Sequence, residues 1–132
     1  MIDTLQEIQE FILADHLYDE LIAHCRRKMA EDYLPEEVPE RKAYGLLGAR
    51  LEDGVATLTN VFALRRNLRH DPAYQEEIDQ FMIDFAVPSE TVLKKRGWVT
   101  DPGEVFHAQR VCDRSGAELL ASYHMHRVAW AD

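Results

Sequence analysis

The residues best suited to chemistry lie near the end of the chain, in Leu119-Leu120-Ala121-Ser122-Tyr123-His124-Met125-His126. An apolar run of this kind predicts a strand. Side chains on a strand alternate between faces, so His124 and His126 project the same way. Two imidazoles side by side on a rigid element form half of a divalent-metal site, with zinc the natural ion. The same pair also fits two surface or partner-bonded histidines, and the dipeptide spacing alone leaves both readings open.

The elements that would position these histidines follow from periodicity and turn chemistry. Phe11-Ile12-Leu13-Ala14 reads as a short first strand after a polar lead-in over 1–10. From Asp15, a candidate cap, Leu17, Leu21, Ile22, Cys25 and Met29 recur at helical spacing, and Arg26, Arg27 and Lys28 suit the C-terminal end of the helix dipole. His24 on that helix reads as a surface or packed histidine. Leu34-Pro35-Glu36-Glu37-Val38-Pro39-Glu40 is an acidic, proline-broken loop. Two strands, 43–51 and 55–64, flank Glu52-Asp53-Gly54, a strong hairpin signal. Arg65, Arg66, Arg69 and His70 then make a local positive patch, read as a solvated rim or a holder for a carboxylate. Asp71-Pro72 opens a helix over 73–85, a shorter helix is expected over 89–95, and Asp101-Pro102 opens another, stopped by Ser115-Gly116.

The whole chain narrows the function classes. Its 132 residues, 46% of them hydrophobic, suffice for one domain, expected over 11–132. A net charge of −9 argues against non-specific nucleic-acid binding, which needs a basic face. No apolar stretch approaches a membrane span, and the acidic, polar start does not read as a signal peptide. Cys25 and Cys112 stand far apart and in no CxxC pair, so both are expected to be reduced thiols in a cytoplasmic protein.

The order helix, strand with Gly45-Leu46-Leu47-Gly48, hairpin strand, helical excursion, and strand ending His124-Met125-His126 resembles the JAMM/MPN family of zinc isopeptidases and their non-catalytic relatives. The likeness covers roughly residues 11–132. It implies an α/β fold in the broad sense (α+β): a mixed sheet flanked by helices, with a cytidine-deaminase-like MPN core. By the same likeness His124 and His126 match the two zinc-binding histidines. The family's aspartate ligand comes about ten residues beyond the second histidine. Asp132 is the only carboxylate downstream here and comes early, and the family's serine shortly before it has no counterpart. The family's general base is a glutamate three residues before the glycine of the Gly-Leu-Leu strand, a position held here by Lys42. Glu40 is the nearest carboxylate. On a continuous strand it would stand about 6.6 Å from the family's position, and it reads equally as an exposed loop side chain. Glu36 and Glu37 are looser candidates.

The resemblance further implies a Zn²⁺-dependent hydrolase acting on an amide or isopeptide bond, with a ubiquitin-like or sulfur-carrier protein tail as substrate. The alternative is an MPN-like scaffold without activity. Family members continue past the histidine strand with a helix and strands. The core is therefore expected to be incomplete at the C-terminus, either because the natural chain continues or because a partner chain closes the sheet, for which a homodimer would serve.

Overall fold

The computed structural model describes residues 8–87 and 95–125. Its core is a four-stranded mixed sheet in the order β1-β3-β2-β4, formed by β1 (Glu10–Ile12), β2 (Tyr44–Glu52), β3 (Val55–Ala63) and β4 (Glu118–His124). Helices α1 (Asp15–Met29), α2 (Gln75–Phe85) and α3 (Pro102–Ser115) accompany it, with a 3-10 turn at Leu68–His70. This is the α+β architecture expected from the pattern of elements. No helix among the described residues is long and apolar enough to cross a membrane.

The hairpin forms where turn chemistry places it. Asp53 and Gly54 both take positive φ, 49° and 77°, the two-residue turn whose twist matches that of the flanking strands. β3 pairs antiparallel with β2 and parallel with β1, and β4 lies antiparallel along the other side of β2. The sheet starts inside the polar lead-in, since the amides of Gln9 and Glu10 already donate to Gly54 O.

Helix α3 is bounded by local signals. Asp101 Oδ1 accepts from the Gly103 amide at 3.0 Å, Pro102 fills the first turn, and Gly116 closes the helix in the left-handed conformation at φ 70°. Asp101→Ala is expected to lower stability by about 1 kcal/mol, read from a urea titration. The ion pair from Arg66 to Asp101 adds little to that figure because Arg66 is exposed. Helix α1 differs from expectation at its start: the cap is Ala14, with no side-chain bond, and Asp15 lies in the first turn. Helix α2 keeps the expected spacing, but none of its residues is buried, and Phe81 and Phe85 lie exposed against one another. The helix expected over 89–95 falls almost wholly outside the described residues.

Two glycines of β2 let the helices approach opposite faces of the sheet. A Cβ on Gly48 would meet Cys112 Sγ of α3 at 2.8 Å. Gly45, an odd number of residues away and so on the other face, underlies the ring of Tyr123, which contacts His24 of α1. The buried residues Leu17, Tyr44, Ala49, Ala56, Leu64, Ala108 and Cys112 fill the space between. Cys25 and Cys112 are both free.

Candidate functional site

The acidic loop is docked by the end of α1. Arg27 forks onto Glu37 with bonds of 2.5 and 2.8 Å, the Leu34 amide donates to the same carboxylate, and Lys28 Nζ donates to Val38 O at 2.8 Å. On its other side the loop is tied to the exit of β3 by Val38 N donating to Arg65 O at 2.7 Å. Burial pushes the Glu37 carboxyl up, but its bonds from Arg27 and Leu34 and the charges of Lys28 and Arg27 outweigh that and hold it below the usual carboxylate range. Glu37 thus has both carboxylate oxygens engaged in a buried pair with Arg27. Glu36 is exposed at φ 65°.

Glu40 follows from this docking. β2 begins at Tyr44, so no strand extends back to Glu40 and the separation argued for a continuous strand does not apply. A turn, with Glu40 N donating to Val38 O, carries the carboxylate to the strand's first side chain. Tyr44 Oη donates to Glu40 Oε1 at 2.6 Å and Asn67 Nδ2 donates to the same oxygen at 2.9 Å. Oε2 has no hydrogen bond among the described residues. Asn67 in turn accepts from the amides of Arg69 and Val99, which fixes the 67–69 and 99 segments around it. The Tyr44 ring is buried and stacks on Trp98 with centroids 4.8 Å apart. Burial, then the bond to Glu40, raises its hydroxyl well above the usual range, so it remains a donor. Lys42 donates to the carbonyls of Lys95 and Gly97.

His124 closes β4 directly opposite Tyr44. Opposed residues of an antiparallel pair share a face, so His124 emerges on the Tyr44 side of the sheet, where α3 packs, and Tyr123 on the α1 side. His126 and Asp132 lie outside the described residues. Among the described residues no three His, Cys, Asp or Glu side chains are grouped to hold a metal ion, and His124 is the only expected ligand that falls within them.

Beside this face an open cleft of about 690 Å³ is lined by Glu36, Phe62, Arg65, Arg66, Glu104 and His107, among others. The positive patch does hold a carboxylate there, but through its backbone: the amides of Arg65 and Arg66 donate to Glu104 at 2.8 and 3.1 Å. Arg69 departs from the rim reading. It is fully buried, paired with Asp79 at 2.7 Å and donating from Nε to Arg96 O.

Tyr44, Asn67 and Trp98 were not singled out by the sequence. Each is an isolated residue with no spacing signature, and only the fold brings them to Glu40. Comparison of the chain with known protein families and with characterised proteins finds no match.

Proposed function

We propose that the chain is a zinc-dependent hydrolase of JAMM type that cleaves an amide or isopeptide bond at the tail of a ubiquitin-like or sulfur-carrier protein in the cytoplasm. One observation carries the reading: the β2–β4 register sets His124 opposite Tyr44, the residue whose hydroxyl holds Glu40. An imidazole on the strand position opposite Tyr44 and a carboxylate held by the Tyr44 hydroxyl are residue types that a catalytic zinc site uses. His124, His126 and Asp132 would hold the ion, and the chain would adopt a cytidine-deaminase-like MPN core whose open edge pairs with a second copy. Bound zinc would supply an acidified water and polarise the scissile carbonyl. Glu40 would take the water's proton on Oε2 and pass it to the leaving amine, with Oε1 anchored by Tyr44 and Asn67.

A second reading, an MPN-like interaction scaffold without activity, is favoured by the same anchoring. A carboxylate that ties the acidic loop to Asn67 also serves as a structural strut, and Lys42 occupies the family's glutamate position.

Metal analysis of untagged protein after zinc supplementation is the first test. Close to one equivalent supports both readings, and less than about a tenth removes the metal site. Hydrolysis of a carrier fusion ending in Gly-Gly then separates them. The hydrolase reading expects Glu40→Gln to lose at least about a hundredfold in rate with zinc retained. Equal rates for the two proteins remove Glu40 from the mechanism, and no turnover by zinc-loaded wild type favours the scaffold.

A further inference from the structure

Helix α2 presents apolar surface that the fold does not cover. None of its residues is buried, and Tyr74, Phe81, Ile83, Phe85 and Val87 are exposed large hydrophobics gathered along one short stretch of chain. Phe81 and Phe85 are 58% and 71% exposed and rest on one another with ring centroids 5.0 Å apart. Single apolar side chains on a surface need no explanation, but a contiguous group marks an interaction site.

The helix is fixed to the body by another side. Asp79 pairs with the fully buried Arg69 at 2.7 Å, and a β-carbon on Gly97 would meet Met82 Cε at 3.2 Å, so the Asp79–Met82 side faces inward. Residues three, four and seven apart share a helix face, which groups Glu77, Phe81, Asp84 and Phe85. All four are exposed. The ion pair thus holds α2 in place and leaves its aromatic pair open.

What fits this face follows from its charge. Helix α2 carries Glu76, Glu77, Asp79 and Asp84 and no lysine or arginine. Asp79 is answered by Arg69, while Asp84 accepts from the neutral Gln80 at 3.0 Å. Asp84 also adds negative charge at the negative end of the helix dipole, and the last turn has no basic residue to offset it. Arg96 lies near that end but donates to Val87 O at 2.7 Å, beyond the helix. A second copy laid on this face would bring like charges together in a chain of net charge −9. The interior backbone groups of α2 are bonded within the helix, so a strand laid on it would leave its own amides and carbonyls unpaired. A helix makes the contact through side chains alone.

We propose that the Glu77, Phe81, Asp84 and Phe85 face of α2 docks a basic amphipathic helix of a partner protein. Aliphatic side chains of that helix cover Phe81 and Phe85, and its lysines or arginines answer Glu77 and Asp84. The surface shares no residue with the zinc site, and its role does not depend on metal.

The test follows the fluorescence anisotropy of a labelled leucine–lysine peptide of about eighteen residues, patterned as an amphipathic helix, as the full chain is added. Saturable binding is expected, at least about tenfold tighter than for a scrambled peptide of the same composition. Phe81→Gln with Phe85→Gln is expected to weaken it by about tenfold or more. Glu77→Gln with Asp84→Asn is expected to weaken it by about fivefold, a loss that shrinks as salt is raised. Asp19→Asn with Glu20→Gln makes the same charge change at exposed positions of α1 and is expected to stay within about twofold of wild type. All these side chains are exposed, and thermal midpoints close to wild type check that the variants fold. No binding, equal affinity for the scrambled peptide, unchanged affinity after loss of the two phenylalanines, or an equal loss in the α1 variant overturns the proposal. A dimer in sedimentation that Phe81→Gln with Phe85→Gln dissolves assigns the face to a second copy and overturns it too.

Discussion

Gly45→Ala is expected to destabilise the protein by about 3 kcal/mol, at the upper end of the usual cost of overpacking. The added β-carbon would overlap the Tyr123 ring and come within 2.5 Å of Phe62 O. The ring alone could turn aside, but a backbone oxygen in the central hairpin pair cannot retreat without breaking the β2–β3 ladder. Gly45 pairs with Ala63 on one side and Tyr123 on the other, so relief on either side disturbs a strand. Gly48→Ala is the informative comparison. Its β-carbon would meet the Cys112 sulfur at 2.8 Å, a side-chain atom on a helix that can shift by a few tenths of an ångström, and a smaller loss is expected. Urea midpoints of the two variants check the order. Equal losses would mean that the Tyr123 stack is not the tight point of the sheet.

How far these features could be read from the sequence depends on whether their causes are local. The Asp53-Gly54 turn, the Asp101-Pro102 start and the Gly116 stop each rest on the conformational preference of one or two residues, and all three occur as expected. The apolar spacing of α2 likewise gave a helix. What it could not give was the packing, because whether Phe81 and Phe85 find a surface to cover depends on elements far along the chain. Glu40 is the clearest case at the candidate site. Strand alternation was the only local guide to its position, and that guide assumed a strand where there is a turn. Its real position is set by Arg27 on Glu37, Lys28 on Val38 O and Val38 on Arg65 O, three bonds that tie the loop to separate elements and have no sequence signature. Arg69 takes the second of the two readings open to the basic cluster, holding the carboxylate of Asp79, and the sequence does not choose between them because that partner lies on α2. The bulge at Leu120 is equally silent, because it arises from the register between β2 and β4 and not from any residue's own preference.

The second large effect concerns acid. Stability is expected to fall by about 3 kcal/mol as the pH drops from near 6.5 to near 4, through His24. Burial, then the neighbouring Arg27, lowers its pKa from the ordinary 6.5 to about 4, with Lys28 acting in the same direction and Glu37 opposing. The sign follows from where the proton binds. Between those two values the unfolded chain takes up a proton on this residue and the folded chain does not, so lowering the pH draws the equilibrium toward unfolding. Above about 6.5 the contribution is fully present, and below about 4 it is exhausted. Across the sheet, Tyr123 is neutral throughout this range, which lies far below the ordinary tyrosine value, and burial, then Cys25 and Glu20, raise its hydroxyl further against the opposing charge of Arg27. Glu37 adds its own loss in acid, since its carboxyl is held below the usual value and must be protonated before the Arg27 pair is released. The two contributions separate in His24→Phe, which has no imidazole to titrate. Urea titrations of wild type and variant at about pH 7.5 and about pH 4.5 should show a much smaller difference between the two pH values for the variant. The same drop in both proteins would assign the acid sensitivity to carboxylates and leave His24 without a part in it.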